Sequence, residues 1–201
     1  GKVDTTDEAA MQNATAKLQN AIDKFTTAIN TNIKTSKKVS KETFDPNFHI
    51  YLCLGEANME GHATPELKDY AGASERFVMM SPVRMTNYSR TKGTWYVARP
   101  PLCRNTTGLG PADYFGKTMI QMLPDSISVG VINVSLEGCG IDVFDEDGLS
   151  DYISQQGAEA KAIIKEYGNN PFRQLVDLAK KAQTAGVIKG VLLHQGCSNS
   201  A

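Results

Sequence analysis

The chain has 201 residues, 41% of them hydrophobic and four of them cysteine, with a formal net charge of −1. That length fits one domain with an appendage. The near-neutral charge argues against nucleic acid or an anionic membrane surface as partner, and four cysteines over such a length do not make a disulfide scaffold.

In chain order, residues 7–34 come first. Met11, Ala14, Leu18, Ala21 with Ile22, Phe25, Ala28 with Ile29, and Ile33 recur there every three to four positions, which predicts one long amphipathic helix. Thr5 or Thr6 offers a cap, and Asp7 and Glu8 suit the first turn. The stripe either packs on the domain's own core or serves self-association. Residues 34–41 are basic and Ser/Thr-rich and read as a solvated connector. We therefore take 1–43 as helix and connector, and 44–201 as the main domain. No apolar run reaches the roughly 20 residues that a membrane-spanning helix needs.

The run from His49 to Leu54 stops at Gly55 and reads as a buried strand that ends in a polar turn. Residues 65–113 follow, rich in proline and glycine, and predict an excursion of short hairpins or irregular loops. Residues 127–134 and 187–193 are β-branched, apolar strands. Helical patterns cover 114–122, 149–167 and 172–185. Strand–helix alternation of this kind predicts a parallel sheet with helices on both faces. Ligands then bind at the carboxyl ends of the strands, so the segments after Leu54, Val134 and Leu193 are expected to converge on one crevice.

The segment Gly55-Glu56-Ala57-Asn58-Met59-Glu60-Gly61 resembles the Gly-Gln-Ser-Asn-Met-Glu-Gly block of the SGNH-hydrolase carbohydrate O-acetylesterases, the sialate O-acetylesterase and acetylxylan esterase group. Gly138-Cys139-Gly140 after the second strand and His194-Gln195-Gly196 after the third resemble two later blocks of that family. The resemblance covers residues 44–201. It implies a three-layer, flavodoxin-like SGNH-hydrolase fold with a parallel sheet, incomplete at the C-terminus, and a secreted or periplasmic setting. It also implies an acetylated carbohydrate as ligand, with no cofactor.

The same resemblance implies that the positions of the oxyanion hole are the backbone of Ala57, Gly138 and the side chain of Gln195. The nucleophile position is Ala57, where the family has serine, and a methyl group cannot attack a carbonyl. Glu56 stands for glutamine, Glu137 for the first glycine of a Gly-Gly pair and Cys197 for a glutamate, while no Asp-x-x-His block follows His194. The expected pocket therefore holds Glu56, Asn58, Glu137, Cys139, His194 and Cys197, with catalysis impaired. Two alternatives stay open: a genuine serine O-acetylesterase met as a mutated or truncated piece, and a non-catalytic interaction module. Arg84, Arg90, Trp95, Tyr96 and Arg104 either line the sugar site or belong to a surface cover. Cys197 with His194 as base is a weak substitute for the serine, since a strand end does not generally aim two residues three apart at one point. Whether Cys139 and Cys197 pair is left open. His49, His62 and His194 are scattered, with no metal-ligand spacing, so no metal is expected. An incomplete sheet exposes an apolar edge, for which a homo-oligomer or a missing C-terminal half is the expected cover.

Overall fold

The computed structural model describes residues 5–199, apart from the side chains of residues 5–6 and 29–33. The chain divides after Thr35 into two compact units. The first carries α1 (Thr5–Lys34). Its acids Asp7 and Glu8 lie in the first turn and Lys34 in the last, the arrangement that a helix dipole favours. Met11, Leu18, Ile22 and Phe25 are all exposed, so within its own unit nothing among the described residues buries the apolar stripe of the helix. Thr5 and Thr6 lie inside the helix, and their side chains, on which the expected cap depends, are outside the described residues, as are those of Ile29 and Ile33.

In the second unit the first strand, β1 (Phe48–Gly55), pairs in parallel with β4 (Ser128–Ser135) on one side and β5 (Val187–His194) on the other. The excursion supplies two more strands, β2 (Phe77–Met80) and β3 (Trp95–Val97). The sheet order is β3-β2-β4-β1-β5. Four strands run parallel, and β3 is antiparallel to β2. The sheet is thus mixed rather than wholly parallel: β2 and β3 are joined by a hairpin, which needs no crossover.

Successive residues of a strand face opposite sides, and β1 uses this to hold two helical layers. Tyr51 meets Phe115 of α4 (Pro111–Met122) edge to face at 4.8 Å. Its neighbour Leu52, with Leu54, faces Leu175 and Val176 of α7 (Pro171–Gln183) across an apolar groove that also touches Ile188 and Val191. Asn170 caps α7 by accepting from the Arg173 N–H at 2.8 Å, Pro171 takes the first turn, and Lys180 and Lys181 the last, as capping preferences dictate. The single helix expected over 149–167 is two, α5 (Leu149–Gln155) and α6 (Ala158–Glu166), because Gln156 turns extended and Gly157 starts the next helix. Short helices α2 (Ala57–Glu60) and α3 (Leu67–Tyr70) follow β1. Strand β5 forms one edge of the sheet, with Val191 and Leu193 about 60% exposed.

Arg90, Arg104, Trp95 and Tyr96 are buried, though Trp95 also walls a small pocket with Val39, Lys41 and Lys181. Trp95 packs against Phe48. The Arg90 guanidinium donates to the carbonyls of Pro101 and Arg99 and to Ser36 Oγ, holding the proline-rich excursion together from inside. Only Arg84 of that set is exposed.

Candidate functional site

Register puts Gly55 level with Ser135 of β4 and with His194 of β5. The three chain segments that leave these strands therefore start side by side at one edge of the sheet. Gly55 has φ +153°, and a Cβ there would sit 2.1 Å from the His194 carbonyl oxygen. Only glycine permits this approach. The Glu56 N–H donates to that same carbonyl at 3.1 Å, and the Leu136 N–H to the Gly55 carbonyl at 3.0 Å. Ala57 follows at the start of α2, half-buried.

Asn133 donates from Nδ2 to the Met59 carbonyl at 2.8 Å and accepts from Ser135 Oγ, which ties the turn to β4. At Gly61, φ is +96° and a Cβ would lie 2.8 Å from Gly110 N. The loop 108–110 thus closes directly on the turn, and the Gly108 N–H donates to the Gly61 carbonyl.

The other named positions divide into two groups. Asn58 and His194 line a cleft of about 500 Å³ with His62, Ala63, Leu109, Gly110, Pro111 and Tyr114. Gly138, exposed at φ +68°, has open space where a side chain would be. Glu137 is half-exposed and approaches His62. Gln195 reaches across to the neighbouring loop, its Nε2 donating to the Cys139 carbonyl at 2.9 Å, while its Oε1 is buried without a hydrogen-bond partner.

Glu56 does not face the cleft as expected. It is 2% exposed and accepts from the N–H groups of Gly196 (3.0 Å), Cys197 (2.5 Å) and Ser198 (3.0 Å) and from Ser198 Oγ (2.5 Å). Its carboxylate organises the turn Cys197–Asn199 by satisfying three consecutive backbone donors. Burial alone pushes its pKa up, but the hydrogen bonds from Ser198 and Cys197 outweigh it and hold the pKa below the ordinary value. Stability from this group is therefore present above the unfolded carboxylate range and lost as pH falls through the lowered folded value. Glu56→Gln is expected to cost about 1–3 kcal/mol, to flatten the acid limb of the stability curve, and to speed amide exchange at residues 196–198. Unchanged exchange there would contradict this role.

Cys139 is buried, Cys197 is exposed, and no disulfide joins them. The side chain of Glu56 raises the Cys197 thiol pKa, which disfavours the thiolate that a nucleophile needs.

Sequence reasoning missed the ion pair that underlies this site. Glu60, with a side chain 0% exposed, receives Arg104 Nε at 2.7 Å and Nη2 at 2.5 Å on Oε1, and His62 Nε2 contacts its Oε2 at 2.8 Å. Arg104 Nη1 also contacts Glu166 at 3.1 Å. The burial of Arg104 opposes its charge, but Glu60 more than compensates and raises its pKa.

The family model for carbohydrate esterase, sialic acid-specific acetylesterase, matches residues 47–201. Among solved structures, a protein from Arabidopsis thaliana is 20% identical over 77% of this chain and 59% of its own, with a TM-score of 0.50. A carbohydrate acetylesterase from Xanthomonas citri is 17% identical over 75% of this chain and 32% of its own (TM-score 0.45). NanS is 13% identical over 76% and 55% (TM-score 0.49). The likeness to the Arabidopsis protein is one of fold. The chain spans less than two thirds of the length of each of the three.

Proposed function

The chain belongs to the sialic acid-specific acetylesterase family of carbohydrate esterases, and on that premise we propose that it binds acetylated sugars without hydrolysing them. Ala57 carries this reading. It stands where the family's motif has its serine, at the turn after β1, between Gly55, the start of the motif, and Asn58 on the cleft. The supporting backbone, from Asn133 to Gly61, is intact, while no side chain at 57 supplies a nucleophile. Gly138 and Gln195 complete the proposed oxyanion-hole positions, and a secreted or periplasmic setting belongs to the same reading. An O-acetylated sialic acid and an acetylated xylo-oligosaccharide are expected to shift amide resonances of Asn58, His62 and His194, and their de-acetylated forms are not. Equal shifts from both forms, or none, would reject acetyl-sugar recognition.

A second reading, assembly through α1, is favoured by the exposure of Met11, Leu18, Ile22 and Phe25. Their spacing of seven, four and three is that of a coiled-coil seam, and most helical stability in proteins comes from packing such a face. Leu18→Asp is expected to shift the sedimentation distribution toward monomer. A wild-type chain that sediments as monomer at every concentration tested would remove this reading.

A further inference from the structure

Beside the proposed acetyl-sugar cleft, and independently of that reading, the fold brings together three side chains whose sequence spacing suggests no ligand set. Glu60 closes α2, His62 follows it, and Glu137 arrives from the loop after β4. Their donor atoms all lie within 4.8 Å of one another. His62 Nε2 is 2.8 Å from Glu60 Oε2 and 3.6 Å from Glu137 Oε2. Around a tetrahedral dication with ligand bonds of about 2.0–2.2 Å, adjacent donors stand about 3.3–3.6 Å apart, so His62 and Glu137 are already at that spacing and His62 and Glu60 would part by roughly half an ångström. The geometry points to a divalent transition-metal site, of the zinc type, held by Glu60, His62 and Glu137.

Three further features fit it. First, one imidazole nitrogen faces two carboxylate oxygens, and a neutral ring has at most one proton to offer there, whereas a cation satisfies all three donors. Second, the charge is unbalanced. Along the contact chain Glu137–His62–Glu60–Arg104–Glu166 there are three carboxylates and one guanidinium, an excess of two negative charges before the imidazole is counted, which one dication offsets. Third, the buried ligand is already oriented. Arg104 fixes Glu60 through Oε1 and leaves Oε2 pointing at His62, the outer-shell support that metal-binding carboxylates usually have. His62 and Glu137 are 43% and 50% exposed in their side chains, and His62 also lines the cleft. Three protein ligands with an open side describe a site whose remaining positions face solvent and a bound ligand. A mixed imidazole–carboxylate set favours zinc over magnesium, which prefers oxygen and retains its waters.

The test is calorimetric titration of the whole chain with zinc chloride, in a Cys197→Ser background so that the exposed thiol does not compete. One equivalent is expected to bind, with His62→Ala and Glu137→Gln each weakening it by at least about tenfold, His49→Ala having no effect, and magnesium chloride giving no saturable heat. Both ligand variants carry exposed substitutions, and circular dichroism checks that they remain folded. No zinc binding at one equivalent, binding unchanged in both ligand variants, or magnesium binding as tightly as zinc would each overturn the site. Because the readout is metal binding alone, failure here leaves sugar recognition untouched, and loss of sugar recognition leaves the metal site untouched.

Discussion

Arg104→Met is expected to lower the free energy of unfolding by about 3–5 kcal/mol, the usual cost of removing one partner from a buried ion pair. The effect follows from what remains. Glu60 has a fully buried side chain, and two of its contacts come from the Arg104 guanidinium. With a thioether there, the carboxylate keeps only His62, and a buried charge without its counter-ion is far costlier than a lost surface pair. A domain with a total stability of about 5–15 kcal/mol has little margin for this. Arg104→Lys keeps the charge but not the planar fork, so it should fall between wild type and Met. The double change Glu60→Gln with Arg104→Met should cost less than Arg104→Met alone, because no uncompensated charge is left. Urea denaturation of the four chains decides the matter. A midpoint for Arg104→Met within error of wild type would show that Glu60 is neutralised some other way.

That pair also marks where reading the sequence stops. The strands around Leu52, Ile132 and the 187–193 run were legible because apolar β-branched stretches bounded by glycine, proline and polar turns have few other meanings. The convergence of three strand ends followed from parallel topology, and register confirms that Gly55, Ser135 and His194 stand level. The order of the excursion was not legible. Its strands are short, four and three residues, and Trp95 and Tyr96 read as sugar-site aromatics or as a surface cover, while both are core. Glu60 looked like a motif position with no task of its own. Its partner Arg104 lies 44 residues away, and Glu166, the second partner of that guanidinium, a further 62, a pairing that periodicity does not encode. Glu56 looked like a charge added to the pocket, and only the path of residues 196–198 reveals that its carboxylate has three backbone donors to satisfy. Local pattern reports an element and its faces. It does not report which distant backbone group a side chain will cap.

The largest expected effect is on chemistry. The chain as it stands should not release acetate from p-nitrophenyl acetate above the buffer rate, because loss of the serine from a comparable triad removes a factor on the order of 10⁶ in turnover. Four groups of the site bear on whether anything replaces it. The Cys197 thiol is held toward its protonated form by Glu56. Cys139 is buried and its pKa is raised by burial. Gln195 has its amide committed to the Cys139 carbonyl. His62 turns Nε2 toward two carboxylates rather than toward residue 57. Restoring the hydroxyl with Ala57→Ser supplies a nucleophile, but His62 is already turned to the carboxylates, so this variant should recover only a small part of the lost rate, since nucleophile and base act as a unit. Wild-type turnover that survives Cys197→Ser would contradict the reading of Ala57 outright. Turnover that disappears with Cys197→Ser would instead assign the chemistry to that thiol. Full activity in Ala57→Ser would mean that a base reaches residue 57, and adding His62→Ala or His194→Ala to that variant would then identify which imidazole it is.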